Sequence, residues 1–118
     1  MARRFVQSLQ HAFRGIMHAF HTQRNLRIHI IIGAVVFGLG FYFQLTHCEF
    51  AALMFAIFLV EICEMINTSI EEAINLVSPT RSMPAMVAKD VAAGAVLLSG
   101  ICAIIIGCLI FIPHLVGR

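Results

Sequence analysis

The sequence predicts an all-α integral membrane protein, in which an amphipathic amino-terminal helix lies on the membrane surface and three further helices cross it. Three observations carry this expectation. Of 118 residues, 60% are hydrophobic and only 12% charged, with a mean hydropathy of +0.93. A soluble domain of this size would need more polar surface to stay dispersed. Long apolar runs recur along the chain, as spanning helices require. Finally, Arg3, Arg4, Arg14, Arg24 and Arg27 all precede the first apolar run, and no Asp or Glu occurs before Glu49. The whole chain, 1–118, is expected to form one membrane-embedded domain.

The surface helix is expected over 3–22. Phe5, Leu9, Phe13, Ile16 or Met17, and Phe20 recur every three or four positions, while Arg4, Gln7, His11, Arg14, His18 and His21 recur on the opposite face. A basic wet face and an aromatic dry face suit the headgroup layer. Residues 1–27 lack the uninterrupted apolar run and small-residue cleavage site of a signal peptide.

The first spanning helix is expected over 28–45, near the lower length limit of ~17 residues. A short turn at 46–49 leads to the second, 50–77, which begins apolar and becomes acidic. At 1.5 Å per residue its roughly 28 residues overreach the hydrocarbon core, so its acidic half should emerge at one interface. Residues 78–84, with Pro79 and Pro84, read as a loop. The third spanning helix is expected over 87–112, ended by Pro113 and carrying small residues around Gly94 and Gly100 that permit close helix approach.

Orientation follows from Lys and Arg, which favour the cytoplasmic side. Five arginines lie in the amino-terminal segment and none in the first turn; Arg81 and Lys89 flank the second loop, and Arg118 ends the chain. The amino terminus and second loop are therefore expected in the cytoplasm, the side where ATP is found. The formal net charge of +2 is too small to indicate nucleic acid. Cys48, Cys63, Cys102 and Cys108 lack paired C-x-x-C spacing and read as small packing or lipid-facing residues.

Glu61, Glu64 and Glu71, with Asn67 between, lie inside an otherwise apolar helix. Each carboxylate at membrane depth costs roughly 2.5–3.5 kcal/mol, so the group needs a metal, a cation or a protein-lined cavity. Glu64, Asn67 or Thr68, Glu71 and Asn75 share one helical face. Such a column of oxygens suits Mg²⁺ held with substrate phosphates and leaves a carboxylate for general-base work. The structural alternative is hydrogen bonding between helices. Lys89–Asp90 opens the third span, where Lys suits a phosphate and Asp a cation or ribose hydroxyl; alternatively the two form a snorkelling interfacial pair. His18 and His21 have metal-compatible spacing but lie on a wet face, where solvated interfacial residues are expected. A small non-catalytic ion-binding or transport protein would also place carboxylates in a bundle.

Glu64-x-x-Asn67-Thr68-Ser69-Ile70-Glu71, followed after a polar loop by Ala88-Lys89-Asp90-x-Ala92-Ala93-Gly94-Ala95-Val96, resembles the signature of the prokaryotic diacylglycerol kinases, which include the undecaprenol kinases. The resemblance runs from the surface helix to the last span. It implies a homotrimer, a trimeric helical bundle with sites between protomers, in the bacterial cytoplasmic membrane. It further implies an enzyme, a lipid kinase that passes the γ-phosphate of ATP to a lipid alcohol, undecaprenol or diacylglycerol, with Mg²⁺ as cofactor. Carried over by position, Glu64 is the general base and Asn67 helps orient it, while Glu71 and Gln23 hold the metal. Arg4, His11, Gln23, Glu71, Thr80, Arg81, Ser82, Lys89 and Asp90 fall where the family approaches ATP. Arg14, Asn25 and Arg27 are candidates for the lipid entrance. The short tail Ile112-Pro113-His114-Leu115 looks more like the undecaprenol branch.

Two positions depart from the family pattern. Gln23 stands where a metal-binding Glu is usual, and Asn75 where Asp is usual. Both remove negative charge from one region, so Mg²⁺ is expected to arrive with ATP on Glu71, with Gln23 assisting. A catalytically weakened family member is the alternative.

Overall fold

In a computed structural model, which describes residues 1–117, four helices follow one another: α1 (Ala2–Thr22), α2 (Arg24–Tyr42), α3 (His47–Val77) and α4 (Met83–Leu115). Arg118, counted above in the charge bias, lies outside the described residues. By length and composition α2 and α4 can each cross a membrane. At 31 residues, or roughly 46 Å, α3 is longer than the hydrocarbon core is thick, but its five glutamates keep it from being apolar throughout.

Several boundaries differ from expectation, each for a local reason. The first span begins at Arg24 rather than Ile28, because Gln23 alone is extended (φ −109°, ψ 108°) and the helix resumes immediately. It ends at Tyr42 rather than Leu45. Gln44 adopts a left-handed φ of 56°, and Leu45 N–H bonds Gly40 O (3.1 Å) while Gln44 N–H bonds Phe41 O (3.2 Å). These two bonds are the Schellman cap of α2. Residues 46–49, expected as a turn, instead start α3. The Thr46 hydroxyl accepts from Glu49 N–H (3.2 Å) and the Glu49 carboxylate accepts from Thr46 N–H (2.9 Å), a capping box.

At its start α4 takes in Met83 and Pro84. Ser82 caps it by accepting from Ala85 N–H (3.3 Å), and a proline in the first turn loses no helical bond. At its other end α4 runs through Pro113 to Leu115. There the missing N–H removes a single bond, and Val116 N–H still reaches Ile112 O (3.0 Å).

The helices form a layer rather than a closed bundle, with α3 between α2 and α4. Among the described residues no α-carbons of α2 and α4 come within 8 Å, and the molecule measures 55 × 43 × 22 Å. Where α2 meets α3, two glycines leave no room for a side chain. A Cβ on Gly33 would lie 2.8 Å from Ile57 Cγ2, and one on Gly40 would lie 2.8 Å from Phe50 Cε1. Both pairs are seven residues apart, two turns of matched antiparallel register. The expectation that small residues of α4 allow close approach holds for Ala92 and Ser99, which are buried where α4 packs along α3, whereas Gly94 and Gly100 face open space, a Cβ on either meeting nothing within 4 Å.

The buried core is small and sits at the end where α2 turns into α3. Leu45, Leu53 and Ile110 are packed by Phe43, Phe50 and Phe111. His114 Nε2 lies 3.3 Å from both Glu49 carboxylate oxygens, closing α4 onto the start of α3. The outer faces remain apolar and exposed, including Ile31, Val35, Phe55, Phe58, Leu97, Leu98, Ile104 and Leu109. A surface this apolar needs lipid or further protein against it.

Candidate functional site

The candidate site lies at the other end, where α1 turns into α2 beside the acidic half of α3. Its corner is built by Gln23, the one non-helical residue between the two helices. Ala19 and Leu26 bury the inside of the bend. Arg27 reaches back to donate to the carbonyls of Phe20 (2.9 Å) and His21 (3.0 Å), satisfying acceptors that the end of α1 leaves open. Its guanidinium is thus engaged within the chain, which differs from an open role at the lipid entrance. His18 Nε2 approaches Glu72 Oε2 (3.4 Å) and ties α1 to α3. His18 is exposed, as expected of a solvated interfacial residue, and meets this carboxylate at the surface.

Below this corner, Glu64 is 4% exposed. Its Oε2 lies 3.3 Å from Nδ1 of His29 on α2, at ion-pair distance but out of hydrogen-bond alignment. His29 is not among the site residues expected from the sequence. A lone histidine in an apolar run has no spacing signal, and its meaning depends on a carboxylate on another helix. Thr68, also buried, gives its hydroxyl proton to Glu64 O (3.0 Å), so it serves the helix backbone.

Two further polar atoms are enclosed without hydrogen-bond partners among the described residues: Glu61 Oε1 and Asn67 Oδ1. Buried acceptors left unpaired cost roughly 1–3 kcal/mol each, and such a cost is concentrated where ligands or partners supply the missing donor. Glu61 and His29 line one end of an apolar groove of about 620 Å³ that runs over α3 between α2 and α4 toward Leu115.

Glu71 is half-buried and makes no hydrogen bond or ion pair among the described residues. Gln23 is half-buried at the corner. Continuing the register set by Gly40–Phe50 and Gly33–Ile57 puts Gln23 level with Asn67, about one turn from Glu71. No three His, Cys, Asp or Glu side chains converge as a metal cage among the described residues. One carboxylate and one amide oxygen nevertheless fit Mg²⁺, which keeps most of its water and is commonly held by one or two carboxylates plus substrate phosphates.

The remaining expected residues are dispersed. Lys89 donates to Asn75 Oδ1 at 2.6 Å, linking α4 to α3, so its ammonium is held within the chain rather than standing free for a phosphate. Asp90 is exposed beside it. Ser82 is committed to the α4 cap and Ser78 donates to Thr80 O (3.0 Å), while Thr80 and Arg81 are exposed. Arg4, His11 and Arg14 are exposed along α1, and Asn25 is exposed just past the corner. One chain therefore brings together Glu64, Asn67, Glu61 and His29 along α3 and its contact with α2, Glu64 buried and the other three half-buried. The basic and loop residues stay on its surface.

The model of the prokaryotic diacylglycerol kinase family matches residues 10–111. A diacylglycerol kinase of Synechocystis sp. is 38% identical over 118 residues, covering 99% of this chain and 67% of the relative. An undecaprenol kinase of Bacillus subtilis is 37% identical over 112 residues, covering 95% of this chain and 91% of the relative.

Proposed function

We propose, from the premise that this chain belongs to the prokaryotic diacylglycerol kinase family and is a lipid kinase, that it transfers the γ-phosphate of ATP to the hydroxyl of undecaprenol or a similar membrane alcohol. The observation that carries the reading is Glu64, a carboxylate buried at the α2–α3 contact with an imidazole against it. Nothing in packing alone calls for a carboxylate there, because an apolar residue would fill the place without the desolvation cost.

In this reading Glu64 takes the proton from the lipid hydroxyl as the oxygen attacks the γ-phosphorus and ADP leaves. Asn67, with its free carbonyl oxygen, orients the hydroxyl. Glu71 and Gln23 would hold Mg²⁺, which would neutralise phosphate charge when bound. Lys89 leaves Asn75 to meet a phosphate, an exchange of one hydrogen bond for a charge-assisted one. Asp90, Arg4, His11 and the residues 80–82 approach the nucleotide from the surface, and Arg14 and Asn25 flank the lipid's way in. Arg27 acts by holding the corner.

The outer apolar faces and the dispersal of basic residues support a homotrimer with sites between protomers in a bacterial cytoplasmic membrane. The arginine distribution supports a cytoplasmic amino terminus, with α2, α3 and α4 crossing the bilayer. The test is transfer of labelled phosphate from ATP to undecaprenol and to diacylglycerol in detergent, for the parent and Glu64→Gln. Turnover that falls by about 100-fold or more in the variant supports the reading. Equal rates in parent and variant refute Glu64 as base, and a faster reaction with diacylglycerol refutes the choice of alcohol.

A further inference from the structure

A buried base has a second problem besides taking a proton: it must lose it again before the next turnover. Glu64 is almost fully enclosed, by α2 on one side and its own helix on the other. The side chain that touches it is His29, whose ring also lines the end of the apolar groove. Its Nδ1 is fully covered and faces the carboxylate, whereas 32% of the side chain is exposed. Counted along the helices, His29 lies six residues past the Gln23 corner and Glu64 eight residues before Glu72, which α1 touches through His18. Both therefore lie roughly 9–12 Å below the level of the surface helix, about two helical turns from the proposed cytoplasmic end.

We propose that His29 takes the proton from Glu64 after each phosphoryl transfer and passes it toward the cytoplasmic interface, resetting the base. This rests on the reading of Glu64 as the base. The balance is simple. The lipid O–H bond breaks as its oxygen bonds to phosphorus and the bond to ADP breaks, and the proton goes to Glu64 Oε2. It then moves to Nδ1 of His29 in its Nε2–H tautomer, the imidazolium releases the Nε2 proton to water, and a turn of the ring that lets Nδ1–H exchange with water restores the Nε2–H tautomer for the next turnover. An imidazole can take a proton at one ring nitrogen and release one from the other, which a carboxylate or an amide at this place could not do across the same distance. The separation of 3.3 Å is within reach of proton transfer after a small rotation of the ring.

Few other charged groups compete at this level. Glu61, one turn from Glu64 on the same helix, lines the groove beside His29. Arg27 on α2 is turned to the carbonyls of Phe20 and His21, and His18 on α1 meets Glu72. On α4 no charged or histidine side chain occurs between Asp90 and His114.

The test uses the full chain in detergent with ATP and undecaprenol. His29→Asn keeps a polar group near the place of Nδ1 but cannot pass a proton through, and His29→Gln is the second variant should the first not fold. Either should lower kcat at least about tenfold while the KM for ATP stays within about twofold. Added imidazole and related small bases should restore the rate, more so for stronger bases, without accelerating the parent. The acid limb of the pH–rate profile should also move in the variants. Parental kcat in either folded variant overturns the proposal, as does a loss of rate that no added base restores. Glu64→Gln run alongside separates the two claims. If it retains parental turnover, the base assignment fails and the relay with it. If it is inactive while His29→Asn is parental, the base stands and only the relay is overturned.

Discussion

Substituting Gly33 by Ala should loosen the α2–α3 contact and disturb the site two turns away along α3. The added Cβ would lie 2.8 Å from Ile57 Cγ2, against a comfortable carbon–carbon separation of roughly 3.5–4.0 Å. The helices must separate locally by about 1 Å, or Ile57 must leave its rotamer, at a cost of about 1–3 kcal/mol. His29 lies one turn from Gly33 on α2, so the same movement would carry Nδ1 from 3.3 Å to beyond about 4 Å of Glu64, outside proton-transfer reach. Ile57→Ala removes the obstructing methyl, so the double variant should recover part of both losses. The assay is a double-mutant cycle, with unfolding in mixed micelles followed by circular dichroism and kcat measured on the same samples. The expected coupling is at least about 1 kcal/mol in favour of the double variant, with kcat recovering in parallel. Additive losses of stability, or an unperturbed Gly33→Ala, would refute close packing of these helices as the device that sets the His29–Glu64 distance.

Gln23→Glu restores a carboxylate to the corner and should leave kcat intact while lowering the Mg²⁺ concentration for half-maximal rate several-fold; abolished turnover or an unchanged Mg²⁺ titration would count against Gln23 as a ligand. At the opposite end, the Glu49 carboxyl is held below its ordinary range, chiefly by the hydrogen bond from the Thr46 backbone N–H, with His114 also contributing. A depressed folded value means that this stabilisation is complete above the unfolded value of about 4.5 and is lost as pH falls through the lower folded value. Glu49→Gln should therefore melt below the parent near pH 7, with the difference closing below about pH 4.5. A difference that stays constant or widens on acidification would refute the assignment.

What was legible in the sequence follows from how local each signal is. The amphipathic period of α1 and the carboxylates of α3 are visible in one stretch of chain, because a helix face needs only residues three or four apart. The start of α3 was equally local and readable, since Thr46-x-x-Glu49 ahead of an apolar run is a capping-box pattern. The end of α2 was not, because its left-handed residue is Gln44 where glycine or asparagine would have marked it. Contacts between helices were beyond any local pattern. Gly33 and Gly40 acquire meaning only opposite Ile57 and Phe50, and Lys89 only opposite Asn75. The resemblance to a kinase signature supplied roles for Glu64 and Glu71 but not the neighbour of Glu64.

That neighbour bears on why this site is short of negative charge. The carboxylates left on the face of α3 are not equivalent. Glu64 is closed in by α2 and lies against an imidazole, while Glu71 is half-buried and makes no hydrogen bond or ion pair among the described residues. With Gln23 and Asn75 neutral, Glu71 has no carboxylate companion from either position, and the amide of Asn75 is already the acceptor for Lys89. An aspartate there would hold Lys89 as an ion pair, whereas the amide holds it by one hydrogen bond that a phosphate can replace at small net cost. On the proposed reading, the neutral Asn75 would hold Lys89 by a bond that a phosphate can replace, and the neutral Gln23 would hold the metal less tightly than a glutamate. Both positions would then place the work of holding charge on the nucleotide, and a base discharged through His29 would need no resident metal to reset it.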